Sequence, residues 1–174
     1  MHISLAKGAL GIASVAALTF AAAAPASAQN ITGTSGDDQL VGTSHNDEIL
    51  AMRGNDTLRG RAGNDELGGR DGDDTLYGGA GKDVIAGEDG DDTIYGGPGN
   101  DLMIVDKGAD TAYAGAGDDT IRLWHDSAPD RVYCGAGDDT VLIYTKRTRN
   151  DYISPDCENF EVITDFFAGA FYQP

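Results

Sequence analysis

The sequence predicts an all-β solenoid, in which nine-residue repeats wind two parallel sheets and an irregular, disulfide-linked C-terminal cap closes them. Three observations carry this. From Gly33 to Arg122 the 174-residue chain divides into ten consecutive blocks of nine, without insertion or deletion; the sixth residue is always Asp, the eighth always apolar, and the fourth Gly in nine. A short fixed period marks stacked units, none of which buries its apolar side chain alone. Of the 29 acidic residues, 24 are Asp and 5 are Glu. Asp beside Gly marks turns, whereas a surface acidified for solubility would also use Glu. The apolar supply is small: beyond the first 28 residues, 51 of 146 are apolar, and aromatics are 7% of the chain. That is too little for a conventional core of this size.

Along the chain, residues 1–28 read as a secretory signal. Lys7 gives the positive flank, an apolar run extends from Ala9 to Ala24, and Ala26-Ser27-Ala28 forms an A-x-A cleavage site. The run is shorter than the roughly 18 residues a spanning helix needs. Removing it takes Lys7 and leaves a mature charge of −18, from 11 basic and 29 acidic residues. The expected product is secreted, with no later transmembrane segment. Its charge excludes nucleic acid and anionic membrane as partners, because like charge repels on approach.

The repeat region is expected over 29–153, regular across 33–122 and interrupted across 123–153, with a cap at 154–174. The eighth positions run Leu40, Ile49, Leu58, Leu67, Leu76, Ile85, Ile94, Met103, Ala112 and Ile121. The first is Gly in seven blocks, with Ala51, Val105 and Ala114 as exceptions. The first six residues of a block, as in Gly78-Gly79-Ala80-Gly81-Lys82-Asp83, read as a turn whose carbonyls can face inward. The last three, as in Thr75-Leu76-Tyr77, read as a short strand with its middle side chain inward. Two blocks make an 18-residue coil. Asp130, Asp139 and Asp151 repeat the pattern after insertions containing Trp124 and His125, then Lys146, Arg147 and Arg149.

In such a stack, Asp residues 18 apart lie one rung apart. Carboxylates about 5 Å apart repel by roughly 0.8 kcal/mol per pair even in bulk water, and by more where partly buried. A cation between rungs reverses the sign. The donors on offer are carboxylates and backbone carbonyls, hard oxygens that suit calcium over zinc or copper, and over magnesium with its retained waters.

Blocks such as Gly69-Arg70-Asp71-Gly72-Asp73-Asp74-Thr75-Leu76-Tyr77 and Gly96-Gly97-Pro98-Gly99-Asn100-Asp101 resemble the RTX, or haemolysin-type, calcium-binding nonapeptide GGxGxDxUx. The resemblance runs from Gly33 to Arg122 and, more loosely, to Ile153. It implies a parallel β-roll with calcium held in the turns by the sixth-position Asp and nearby carbonyls. The implied ligands are Asp56, Asp65, Asp74, Asp83, Asp92, Asp101, Asp110, Asp119 and Asp139. Thr34, Ser35, Thr43, Ser44 and His45 replace the glycine-rich turns of the first two blocks, which leaves Asp38 and Asp47 outside the set. Val105 and Ala109 depart from the pattern at the Asp110 turn.

Cys134 and Cys157 are the two cysteines, and after export an even pair most simply forms one disulfide, worth roughly 3 kcal/mol in the chain-entropy model. A reactive thiol or metal thiolate is the alternative; no histidine or further cysteine lies near in sequence. The aromatic tail, with Phe160, Phe166, Phe167, Phe171 and Tyr172, is expected to cover the last rung. RTX-like repeats often accompany a lipase, protease or epimerase, but no segment here has room for a catalytic domain. His125-Asp126-Ser127 cannot form a triad from adjacent positions. The expected activity is therefore binding, with calcium coupled to folding.

A second reading concerns the outer faces. Thr57, Thr75, Thr93 and Thr111 recur every 18 residues, as do Tyr77, Tyr95 and Tyr113. They would stack on one flat face suited to docking carbohydrate, ice or another protein, as in an adhesion or matrix protein; equally, Thr and Tyr simply suit exposed strands. The opposite sheet shows Glu48, Glu66, Val84, Leu102 and Thr120 without such order.

Overall fold

The computed structural model describes residues 27–124, 126–144 and 151–163. These form fifteen strands. In chain order they are β1 (Asn30–Thr32), β2 (Gln39–Val41), β3 (Glu48–Arg53), β4 (Thr57–Ala62), β5 (Glu66–Asp71), β6 (Thr75–Ala80), β7 (Val84–Asp89) and β8 (Thr93–Pro98). There follow β9 (Leu102–Val105), β10 (Thr111–Ala116), β11 (Thr120–Trp124), β12 (Arg131–Ala136), β13 (Thr140–Tyr144), β14 (Tyr152–Ile153) and β15 (Asn159–Ile163). Odd strands stack in order into an eight-stranded parallel sheet, and even strands into a seven-stranded one. The chain alternates between them, giving an all-β parallel β-solenoid of about seven turns with a disulfide near its C-terminal end. Residues 1–26, which hold most of the expected signal segment 1–28, and His125, 145–150 and 164–174 lie outside the described residues.

The rung offset is 18 residues up to β9 against β11, where Leu102 pairs with Thr120. Beyond that the offsets lengthen: Thr111 pairs with Arg131, and Arg131 with Tyr152. The ladder stays in phase across these longer offsets. Trp124, read from sequence as part of an insertion, instead ends β11 and stacks on Tyr144, with ring centroids 4.3 Å apart.

The strands are longer than the sequence reading allowed. In β6, β7 and β8 they span six residues, from the seventh position of one block to the third of the next, with alternating burial. Two side-chain positions per strand therefore face inward: the eighth, and the first of the following block. This explains the exceptions at the first position, because Ala51, Val105, Ala114 and Cys134 are fully buried there. The core is a thin double column led by Ile49, Leu58, Leu67, Leu76, Ile85, Ile94 and Met103, all at 0–1% exposure.

Turn glycines are required by rung spacing. Gly99 has φ +143°, a region closed to side chains, and a Cβ there would strike the carbonyl of Gly81 on the rung below. Gly36, at the same position in the first block, has open space around it and no such dihedral.

The terminal segment also departs from a simple lid. β15 pairs with β13 from Asn159 opposite Thr140 to Ile163 opposite Tyr144, adding a further rung. Cys157, just before it, is bonded to Cys134 of β12, with Cα atoms 5.1 Å apart. Phe160 and Val162 stand in register with the core residues Val141 and Ile143, yet are 52% and 54% exposed in the last rung of the described residues.

Candidate metal centre: two carboxylate columns

Each sixth-position Asp lies at the tight end of a turn, directly before a strand. Its backbone carbonyl accepts from the residue that opens the strand one rung on, as Asp56 does from Thr75. Its side chain reaches the other way. Oδ1 of Asp74 accepts from the Asp56 N–H at 2.7 Å, Asp92 from Asp74 at 2.8 Å, and Asp110 from Asp92 at 2.8 Å. The second column runs Asp47, Asp65, Asp83, Asp101, Asp119 and Asp139, with every link 2.7–2.8 Å. The structure thus places all nine sequence-expected residues in two continuous columns, each at most 2% exposed.

The other carboxylate oxygen decides what the columns can do. Oδ2 is buried and has no hydrogen-bond partner in Asp56, Asp65, Asp74, Asp83, Asp92, Asp101, Asp110, Asp119 and Asp139. An unpaired buried carboxylate oxygen is costly, and nine in phase call for a cation. Backbone oxygens converge on the same space. A Cβ placed on Gly78 would lie 2.5 Å from Asp83 Oδ2 and 2.8 Å from the Gly96 carbonyl oxygen; one on Gly96 would lie 2.6 Å from Asp101 Oδ2 and 2.5 Å from the Ala114 carbonyl. Among the described residues no three His, Cys, Asp or Glu side chains converge, so a cation here would draw its remaining oxygens from the backbone. Carboxylate plus carbonyls is a hard set that fits calcium.

Asp38 and Asp47 differ. The Thr43 N–H and hydroxyl donate to Asp47 Oδ2 at 2.5 and 3.0 Å, and those of Thr34 to Asp38 Oδ2 at 2.6 and 2.9 Å. The cause lies in the backbone. In eight of the nine orphan turns the second-position residue has positive φ: Met52, Arg61, Arg70, Gly79, Glu88, Gly97, Gly115 and Gly135. There the second-position N–H does not donate to Oδ2, as those of Thr34 and Thr43 do. Four of these are not glycine, so strain of order 1–3 kcal/mol each is tolerated there. The exception is the Asp110 turn, which the sequence had already marked as irregular: Asp106 is absent from the positive-φ set.

Burial sets the charge state of the columns. It pushes Asp92 up to about 8, Asp110, Asp119 and Asp130 to about 7, and Asp65, Asp74 and Asp83 to about 6. N–H donation to Oδ1 pulls each one down, and neighbouring carboxylates add a smaller upward push on most of them.

Two contributors escaped the sequence reading, and a third, Asp130, stands in it as a repeat position outside the ligand set. Fifth-position Asn and Asp side chains form a second ladder, reaching to the following rung: the Asn64 N–H donates to Asn46 Oδ1 at 2.8 Å and Asp91 to Asp73 at 3.0 Å. Asn or Asp fills this position in eight of ten blocks, a signal as regular as the glycines. Glu158 stands in for the Asp of the last turn, accepting from the Asp139 N–H at 3.0 Å. Asp130 extends the first column, accepting from Asp110 at 3.1 Å.

On the outer face of the even sheet, Tyr77, Tyr95, Tyr113 and Tyr133 stack with centroids 4.8–5.0 Å apart and planes within 8°. The Arg59 guanidinium lies 4.9 Å over the first ring.

A parallel solenoid whose turns carry buried, half-satisfied aspartates in unbroken columns defines a cation-binding repeat protein. The pattern of the RTX calcium-binding nonapeptide repeat (4 copies) matches residues 31–67, 68–103 and 95–123, more than half of the chain. The chain belongs to that family. No curated protein sequence matches it.

Proposed function

We propose that this is a secreted, non-catalytic calcium-binding protein whose folding is completed by calcium in the glycine- and aspartate-rich turns. The observation that carries the reading is the set of nine buried Oδ2 atoms without a partner. The proposed ligands are Asp56, Asp65, Asp74, Asp83, Asp92, Asp101, Asp110, Asp119 and Asp139, together with carbonyls of adjacent turns. Calcium would supply positive charge and six to eight coordination positions where the protein has only oxygens to offer. Secretion rests on the charge, apolar run and A-x-A site of residues 1–28. Coupling to folding follows from the repulsion along the empty columns.

The Thr34 and Thr43 clamps give a test of site assignment. Thr34→Gly with Thr43→Gly removes both hydroxyls and lets the second position take positive φ, freeing Asp38 and Asp47 Oδ2. Calcium bound per chain, measured by titration calorimetry and elemental analysis, should rise above the wild-type value. A wild type that binds none refutes the calcium reading itself. An unchanged ratio refutes the role of the clamps.

The stacked tyrosines favour a second reading, an adhesion or matrix role for the Thr57/Thr75/Thr93/Thr111 and Tyr77/Tyr95/Tyr113 face toward carbohydrate or protein. The rings cover one another's faces, so what they present outward is edges and hydroxyls in rows about 4.8 Å apart. A ligand bound by the loaded protein on a glycan array should be lost on replacing Tyr77, Tyr95 and Tyr113 by Ser. Retained binding would move the contact elsewhere.

A further inference from the structure

The outer face of the odd sheet is apolar where the rest of the protein is acidic. Val84 and Ala86 of β7 and Leu102 and Ile104 of β9 form its middle, all partly exposed. Seventh- and ninth-position side chains together make this strip, Val84 beside Ala86 and Leu102 beside Ile104. On this face Glu48 of β3 and Glu66 of β5 lie on one side of the centre, with the Glu88 carboxylate of β7 reaching over Gly68, while Arg122 of β11 lies on the other side, with Glu161 two strands further out on β15. Neither Glu66 nor Arg122 makes an ion pair among the described residues, and Arg122 Nε is buried without a hydrogen-bond partner.

The pattern is self-complementary. Consider a two-fold axis in the plane of the face, parallel to the strands and passing between β7 and β9. It brings β7 of one copy over β9 of the other, β5 over β11, and β3 over β13. Ala86 then meets Ile104, small against large, and Leu50 meets Leu142. Glu66 comes within side-chain reach of Arg122 of the second copy, beside Glu88, whose Oε1 lies over Gly68. Both copies share the same rung spacing of about 4.8 Å, so the pairing stays in step along the stack. An isologous contact needs this match of a patch with its own reversed image.

We propose that this face is a docking surface for a second copy of the chain, the two solenoids running antiparallel with Glu66 of each paired to Arg122 of the other. Six strands at about 4.8 Å give a patch of roughly 300–400 Å² per copy, which is the size class of a weak, reversible dimer. Bound cation in the columns lowers the repulsion between two acidic chains, so the calcium-loaded protein is the form that pairs.

The test is sedimentation equilibrium of the calcium-loaded protein between about 10 and 500 µM, across the range expected of so small an interface. The wild type should show a monomer–dimer equilibrium. Arg122→Glu and Glu66→Arg should each weaken it at least about tenfold, and the double reversal should restore it to within about threefold, as a direct pair requires. Ile104→Glu should abolish it while circular dichroism shows an unchanged calcium-loaded fold. A wild type that stays monomeric overturns the proposal. So does a dimer indifferent to Ile104→Glu, or one that the double reversal fails to rescue.

Discussion

In excess chelator at pH 8 the chain will give the circular dichroism of an unordered polypeptide, and added calcium, but not magnesium, will restore the β signal. The two carboxylate columns are the reason. At that pH the buried aspartates must ionise without a counterion, and the thin core cannot offset the cost. Each calcium held at a hundredfold over its dissociation constant contributes roughly 2.7 kcal/mol, so four such sites match the roughly 5–15 kcal/mol of a whole domain. Acid should partly replace the metal. The folded-state values of about 6 for Asp83, 7 for Asp110 and Asp119 and 8 for Asp92 stand above the ordinary 3.8. The metal-free fold therefore binds more protons than the unfolded chain. Its stabilisation by protons is complete below about pH 4 and is lost as pH rises through 6 to 8. Chelated protein taken from pH 8 to about pH 4.5 should regain β structure. Full structure in chelator at pH 8, or further unfolding on acidification, would contradict the account.

Asp83→Asn should reverse its effect on stability between chelator and calcium. Asp83 is fully buried, and its Oδ1 accepts from the Asp65 N–H at 2.8 Å. Its Oδ2 has no partner, although the Gly96 carbonyl converges on the same space. An amide keeps the acceptor, removes the charge beside Asp101, and offers that carbonyl a donor. In chelator at pH 8 the variant should show more β signal by circular dichroism than the unordered wild type. In calcium it loses a charged ligand oxygen. One site at hundredfold saturation is worth about 2.7 kcal/mol, which for a chain of this size lowers the melting temperature by roughly 5–10 °C. Calcium bound per chain should fall as well. A variant destabilised under both conditions would assign Asp83 to packing rather than to a cation.

The fold was legible because period and geometry coincide. One Asp and one apolar residue per nine, kept in phase from Asp38 to Ile121, leave no other arrangement in which every eighth-position side chain faces the core. The extent of the strands was not legible. Glycine at the first and second positions reads as a turn, yet Gly78 and Gly79 lie within β6. A ladder hydrogen bond needs only a backbone, and the inward-facing first position needs a residue without a bulky side chain. Of the candidate site, the Asp positions followed from the repeat. The separation of Asp38 and Asp47 followed from their threonine-containing turns, but the clamping of their Oδ2 by the Thr34 and Thr43 N–H and hydroxyl groups did not, because it depends on the backbone dihedrals there and at the counterparts Arg61 and Arg70. The aromatic tail was misleading in part: Phe160 adds a rung, placed by the Asn159 and Glu158 that precede it, where composition suggested only a cover.

The two side-chain ladders of the turns reach in opposite directions, the Asp of the sixth position back to the previous rung and the Asn or Asp of the fifth on to the next. Mechanically, every coil is thus a link in a series chain, held to both neighbours by the same small set of bonds and to nothing more distant. Tension between the ends would meet no shared load and would peel coils singly, each releasing about 60 Å of contour from 18 residues at roughly 3.4 Å apiece. The coil between β12 and β15 is exempt. The Cys134–Cys157 bond closes it into a covalent ring, so a pull on the C-terminus passes through the bridge to the rung at β12 without unwinding what lies between.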